Sequence, residues 1–173
     1  PAYFLNPSSL APVLVALGAK VRILGPKGAR EVPLSGFFLA PRKDGDRENV
    51  LKANEILTEV FVPPPEGARS ATYEVRQRES LDWPLAAASV VLKLNGTTVE
   101  SARVVLGHVA PTPWPSRDAE RALAGKSLTE EIAGLAGQAA VRRAKPLSKN
   151  AYKVRLAAVA VKRAILRAAE GAI

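Results

Sequence analysis

The sequence contains no cysteine and a single histidine, and these shortages exclude several classes of chemistry. Without cysteine the chain forms no disulfide, ligates no iron–sulfur cluster and carries no thiol nucleophile. With His108 as the only imidazole, neither a histidine-based metal site nor a Ser-His-Asp triad is expected. We therefore expect no catalytic residue and no metal ligand in this chain.

Long apolar runs are also missing. No segment approaches the roughly 20 continuous apolar residues that span a bilayer, so we expect no membrane span. The first five residues, PAYFL, have neither the basic region nor the cleavage pattern of a secretory signal, so we expect a cytoplasmic location. Because the sequence begins with Pro1 in the middle of a pattern, we also expect a processed or partial chain.

Acidic residues are scarce towards the C-terminus. The net charge is +9, and after residue 140 nine basic residues oppose one acid, Glu170. Such a stretch is typical of a surface that binds nucleic acid, a membrane or an acidic partner subunit, and also of a solvated helix face. No aromatic interleaving and no nucleic-acid motif accompanies these charges, so we predict no nucleic-acid partner.

The composition is that of a globular protein, with 47% apolar and 24% charged residues in a chain of 173. The first part predicts a short helix that is capped by Ser8 or Ser9 and ends at Gly18. A hairpin with its turn at residues 25–28 follows, and later a strand at 55–62. The turn lacks the spacing of a phosphate-binding loop.

Residues 63–67, PPPEG, form the clearest linker in the sequence. After it, alternating patterns predict antiparallel strands at 69–78, 85–94 and 99–108. Asn95-Gly96 between the last two is the strongest hairpin signal in the chain. The strands are therefore expected to form a meander.

The remainder predicts helices. Serines mark their starts: Ser116 before 118–123, Ser127 before 129–144 and Ser148 before 150–169. The last helix places five apolar side chains on one stripe at helical spacing, namely Val154, Ala158, Val161, Ile165 and Leu166. Strands followed by helices on one side indicate the α+β class.

The most informative local feature is ESLDWP, residues 79–84, directly before a buried strand. Asp82 and Trp83 in this stretch allow two interpretations. Local chemistry alone favours a strand-entry carboxylate and a core aromatic. The alternative is a ring and a carboxylate that face a planar ligand. His108, at a strand end, is typical of a surface or hydrogen-bonded residue.

Several blocks together resemble the FAD-binding subunits of molybdenum hydroxylases. They include NPSSLAP (6–12), VALGA (15–19), RESLDW (78–83), GHVAPTP (107–113) and PLSKNAYK (146–153). The family comprises xanthine dehydrogenase, the medium subunit of aerobic carbon monoxide dehydrogenase and the β subunit of 4-hydroxybenzoyl-CoA reductase. The residues of two blocks, RESLDWP and SKNAYKV, are most similar to the 4-hydroxybenzoyl-CoA reductase branch.

The resemblance implies a fold and a role. Residues 1–62 resemble the closing part of an FAD-binding α/β subdomain. Residues 68–173 resemble the flavoprotein C-terminal domain, a small antiparallel sheet covered by about three helices. The implied partners are an iron–sulfur small subunit and a large subunit with the molybdenum cofactor. The flavin subunit relays electrons between the iron–sulfur clusters and an external acceptor, so the chain is expected to be an oxidoreductase component that is not active alone.

The resemblance also implies a set of flavin contacts. Ser9 stands where the family has Asp, and Tyr73 stands where the family often has Lys, so both are departures. Leu57 falls at the leucine that lies against the flavin ring system. Asp82 and Trp83 fall beside the isoalloxazine ring.

The family's Gly-rich blocks, of the A-G-G-T and I-G-G-N kind, are not in this sequence. Their backbone amides hold the FAD pyrophosphate, so the chain alone is expected to bind FAD poorly or not at all. Two other interpretations stay open at this point. One is a non-catalytic docking module that has lost FAD binding, and the other is a nucleic-acid binder based on the positive charge.

Overall fold

A computed structural model describes residues 4–78 and 82–171 of the chain. The chain order of its elements is α1 (Leu10–Ala16), β1 (Lys20–Gly25), β2 (Gly28–Pro33), β3 (Ile56–Phe61), β4 (Arg69–Val75), β5 (Ala86–Asn95), β6 (Thr98–Gly107), β7 (Trp114–Pro115), α2 (Arg117–Leu123), α3 (Glu130–Ala140) and α4 (Tyr152–Glu170). The chain is thus an α+β protein, as predicted. None of the helices in the described ranges is long and apolar enough to cross a membrane.

The first sheet has three antiparallel strands in the order β2-β1-β3. The predicted hairpin turn is confirmed, because Gly25 pairs with Gly28 across it. Gly28 has a φ of 105°, a conformation that a residue with a Cβ rarely adopts. Along β1 the side chains of Val21 and Ile23 are buried, and those that alternate with them, Lys20, Arg22 and Leu24, are exposed. The first sheet therefore has one core face and one open face.

The second sheet is an antiparallel meander in the order β4-β5-β6-β7, as the alternating pattern predicts. The Asn95-Gly96 turn joins β5 and β6, with a φ of 60° at Gly96. The first five residues of β5 are all buried, which is unusual for alternating positions. The reason is that both faces of this sheet are covered, by α2, α3 and α4 on one side and by α1 on the other.

The helix starts differ in part from the prediction. Ser116 caps α2 as expected, because its Oγ accepts a hydrogen bond from the backbone NH of Ala119 at 3.3 Å. The prediction for Ser127 is wrong. Thr129 caps α3 by accepting from the NH of Ile132 at 3.2 Å, while the Ser127 hydroxyl is bonded to a threonine of the second sheet's hairpin.

The ends of the last two helices also differ from the prediction. The third predicted helix ends at Ala140 rather than at residue 144. The last helix begins at Tyr152, and its N-cap is Ala151, so Ser148 does not cap it. Asn150 uses its side chain instead to accept a hydrogen bond from the NH of Leu147 at 2.6 Å, which stabilises the preceding loop.

Small residues let α3 and α4 approach closely. A Cβ added at Gly137 would lie 2.5 Å from the carbonyl oxygen of Ala158 on the facing helix. The buried face of α4 is rich in alanine: Ala157, Ala158, Ala160, Val161, Ala164, Ile165 and Ala168. This face includes Ala158, Val161 and Ile165 of the predicted stripe, and Val154 and Leu166 are only half-buried.

Two apolar clusters fill the interior. One lies between the second sheet and helices α2–α4. The other joins the first sheet and α1 to the opposite face of the second sheet, where Val105 is buried. Because α1 packs on the second sheet, its first residues lie near the end of β6. The division into residues 1–62 and 68–173 stays a prediction.

Candidate functional site

His108 lies where the end of β6 meets the beginning of α1. It directly follows β6 and is only 4% exposed, and its φ of 60° is uncommon for a residue with a side chain. Its Nε2 is 3.3 Å from the Oγ of Ser9, the residue before α1. Its carbonyl oxygen accepts a hydrogen bond from Nζ of Lys153 at 2.9 Å. Three separate elements thus hold one residue.

The charge of His108 follows from its surroundings. Burial lowers the pKa of its imidazole, and this effect outweighs the nearby carboxylate of Glu74, which raises the pKa. The cations of Lys153 and Arg76 lower the pKa further. The ring is therefore neutral at pH 7, with one nitrogen as donor and the other as acceptor. In the hydrogen bond with Ser9, Nε2 of His108 donates in one tautomer and accepts in the other.

Trp83 stands beside this histidine, with its ring centroid 6.4 Å from that of His108 and the planes at 52°. Its side chain is 70% exposed, so the interpretation as a core aromatic is wrong. The chain is fixed just after it, because Pro84 is buried and the NH of Leu85 donates to Val75 at 2.8 Å. The result is a large flat ring that faces solvent from an anchored backbone.

Asp82 immediately precedes this ring and is half-buried. The earlier residues of the motif, Glu79, Ser80 and Leu81, lie outside the described residues. We call Ser9, Asp82, Trp83 and His108 the junction site.

The other two predicted flavin contacts lie elsewhere. Leu57 is on β3 opposite Ile23 and packs half-buried into the apolar cluster that contains α1. Tyr73 is on the face of the second sheet that α4 covers. Its ring lies under the guanidinium groups of Arg163 and Arg167, at 5.1 and 5.5 Å, and its hydroxyl is bonded to Arg163. The structure therefore places both Ser9 and Trp83 next to His108 and leaves Tyr73 on the face of the second sheet that α4 covers.

Two of the arginines in the region of the second sheet are bonded within the chain. Arg76, just after β4, is ion-paired with Glu74 of that strand. Arg103 donates to the carbonyl oxygen of Ala16 at 3.2 Å, at the end of α1. Several cations of α4 are likewise bonded internally, such as Lys162 to Glu130 at 2.7 Å. The sequence alone presents these as free charges, whereas most of them stabilise the fold.

Sequence reasoning missed the central position of His108 and the contribution of Lys153. The prediction of a hydrogen-bonded histidine at a strand end is confirmed. Its partners, however, are 99 and 45 residues away along the chain, so no local pattern indicates them. The one local signal is a histidine directly after a buried strand that ends in glycine.

Two family models match this chain. Residues 71–168 match the CO dehydrogenase flavoprotein C-terminal domain, and residues 4–65 match the FAD binding domain in molybdopterin dehydrogenase. The chain belongs to the family of FAD-binding subunits of molybdenum hydroxylases. The junction site lies between the two matched regions, since Ser9 comes from the first and the other three residues come from the second.

Relatives agree with this assignment. The carbon monoxide dehydrogenase medium chain of Hydrogenophaga pseudoflava is 34% identical over 92% of this chain and 56% of its own length. The aldehyde oxidoreductase FAD-binding subunit PaoB of Escherichia coli K12 is 29% identical over 88% and 45%.

A solved carbon monoxide dehydrogenase from H. pseudoflava, in a form that lacks the Mo-pyranopterin moiety of the molybdenum cofactor, has the same fold. The TM-score is 0.80 at 34% identity, over 92% of this chain and 55% of the solved one. The chain thus spans about half the length of the relatives that it matches.

Proposed function

We propose that this chain forms part of the FAD-binding subunit of a molybdenum-containing oxidoreductase, and that its junction site faces the isoalloxazine ring of FAD. The exposed ring of Trp83 beside the buried, neutral His108 carries this proposal. A large aromatic side chain that is 70% exposed on an anchored backbone offers a flat surface for stacking.

The residues present fit the ring end of FAD. Ser9 supplies a hydroxyl and Asp82 a carboxylate, which match the donors and acceptors of an isoalloxazine edge. Because the Gly-rich blocks are absent from these 173 residues, the residues present fit only the isoalloxazine end of FAD and not its pyrophosphate. Direct contacts of Leu57 and Tyr73 with the flavin stay predictions. Leu57 is in the adjoining cluster, and Tyr73 faces α4.

The proposed role is electron relay. FAD, when bound, supplies redox chemistry that no side chain of this protein offers, and the protein supplies position and electrostatics. The relatives lead us to propose an iron–sulfur small subunit and a large subunit with the molybdenum cofactor as partners. We keep the cytoplasm as the proposed compartment.

Flavin binding can be tested with the two tryptophans of the chain. Trp114→Phe leaves Trp83 as the only indole, and Trp83→Phe leaves only Trp114. We expect FAD to quench the fluorescence of Trp83 saturably and to leave that of Trp114 nearly unchanged. Riboflavin, which lacks the pyrophosphate and adenine, should bind within a few-fold of FAD, because the proposed contacts are all with the ring.

Alanine variants give the matched control. Trp83→Ala should weaken flavin binding about tenfold, the equivalent of roughly 1.4 kcal/mol of stacking. Trp114→Ala removes a ring that is 48% exposed and lies outside the junction site, and it should leave the affinity unchanged. No saturable quenching of Trp83 by either flavin would overturn the proposal for this chain, and would leave the role of a docking module.

A further inference from the structure

A cavity of about 590 Å³ lies between the C-terminal end of α3, the N-terminal end of α4 and the segment that follows β6. Its volume is within the range of about 300–1,000 Å³ that is typical of small-molecule sites. The lining residues do not include Ser9, Asp82 or Trp83. The cavity is therefore not explained by the proposed flavin contacts.

The wall of the cavity is mainly apolar. Leu106 of β6 and Val109, just after that strand, form part of it, as do Val141 at the end of α3 and Val154 of α4. Trp114 adds a half-exposed aromatic ring. Apolar and aromatic walls of this kind bind the flat or aliphatic body of a small molecule.

The polar groups of the lining are nearly all cationic. Arg143, Lys145 and Lys153 line the cavity together with Asn150, and none of the lining residues in the described ranges carries a carboxylate. Arg143 contacts Asp118 through its Nε at 3.1 Å, which leaves its terminal nitrogens for another acceptor. The cavity thus has positive charge and no internal acid among its lining groups.

Lys153 is the most informative of these cations. It is half-buried, and its Nζ donates to a neutral acceptor, the carbonyl oxygen of His108. Among the described residues no carboxylate lies within 4.0 Å of it. Burial lowers the pKa of Lys153, which reflects the cost of a charge without a counterion. An anion in the cavity would offset that cost.

We propose that this cavity binds a small aromatic organic anion, with its acidic group towards Lys153 and Lys145 and its ring against the apolar wall and Trp114. The inference rests on the cavity, on Lys153, which has no carboxylate partner among the described residues, and on the aromatic lining. It does not depend on FAD binding.

The test uses a pair of fluorescent probes with the full chain. The anion 8-anilinonaphthalene-1-sulfonate and the neutral N-phenyl-1-naphthylamine share the same rings and differ in the sulfonate. In the Trp83→Phe background, energy transfer to the bound probe reports its distance from Trp114. We expect the anion to bind at least about tenfold more tightly than the neutral probe and to accept energy from Trp114.

Variants separate the cavity from the general surface charge. Lys153→Met keeps the aliphatic stem and should weaken binding of the anion about tenfold, with little change for the neutral probe. Lys145→Ala should weaken the anion several-fold. Arg142→Ala is the matched control, because Arg142 is exposed on the same segment and does not line the cavity. Ala144→Trp, at an exposed lining position, should block both probes without altering the fold.

Three results would overturn the proposal. They are equal affinity of the two probes, a loss in Arg142→Ala as large as in Lys145→Ala, and energy transfer from Trp83 in the Trp114→Phe background that exceeds the transfer from Trp114 in the Trp83→Phe background. Should Lys153→Met fail to fold by circular dichroism, the Lys145 and Ala144 variants decide the question alone. A failure of flavin binding at Trp83 would leave this inference intact, since the two tests follow different indoles.

Discussion

Replacing Gly137 by alanine tests the close approach of α3 and α4, which also form one side of the proposed anion cavity. The added Cβ would lie 2.5 Å from the carbonyl oxygen of Ala158 and 3.3 Å from its carbon. Ordinary contact begins near 3.4 Å, so the helices must separate by roughly 1 Å. The obstacle is backbone rather than the end of a flexible side chain, so no rotamer change relieves it.

The magnitude follows from two opposed effects. Overpacking of this kind costs about 1–3 kcal/mol, and alanine gains about 1 kcal/mol over glycine in a helix interior. Since the clash involves backbone, we expect a net loss of about 1–2 kcal/mol in Gly137→Ala. In a chain of this size each kcal/mol shifts the melting temperature by about 2–4 °C.

Gly134 supplies the control from the same helix. A Cβ there meets nothing within 4 Å, so Gly134→Ala should gain about 0.5–1 kcal/mol from helix propensity alone. Urea unfolding followed by far-UV circular dichroism measures both variants against the parent chain. If Gly137→Ala is as stable as Gly134→Ala, the two helices do not pack as described and the reasoning fails.

Two further predictions concern single side chains. Arg30 lowers the pKa of the Glu55 carboxyl to about 2. The stabilisation that this ion pair gives to the folded chain is therefore complete above about pH 4.5, and it is lost as the pH falls towards 2. The difference in urea midpoint between the parent and Glu55→Gln should therefore shrink across that interval, and a constant difference would contradict the ion pair. Thr129→Ala should cost about 1 kcal/mol of unfolding free energy and Ser127→Ala less than about 0.5, whereas equal losses would contradict the assigned cap of α3.

Local patterns predicted much of the secondary structure because they depend on near neighbours. The turn at Gly25–Gly28 and the Asn95-Gly96 turn need only a glycine that tolerates positive φ between two alternating strands. The predicted cap of α3, Ser127, lies two residues before the actual cap, because Ser127 and Thr129 are both good caps by type. Pairing of Ser127 with the hairpin of the second sheet decides between them, and that contact is not local.

The candidate site was predicted in part. The order of blocks in the sequence indicates Ser9 and Trp83 as members of one site, although 74 positions separate them in the numbering. It does not indicate that His108 lies next to both of them or that Tyr73 faces α4. The alternation of β4 fixes which residues share a face, but only packing decides which face α4 covers.

The sequence by itself determined what this protein lacks and to which family it belongs. Without cysteine, these 173 residues supply no thiolate ligand and no thiol nucleophile, and composition alone is enough to show this. Tertiary structure decided which charges are free. The cations of α4 that bond to Glu130, Tyr73 and the carbonyl of His108 are indistinguishable in sequence from solvated ones. The reason is physical, because burial and partners across the fold set the state of a side chain, and the chain brings them together only when packed.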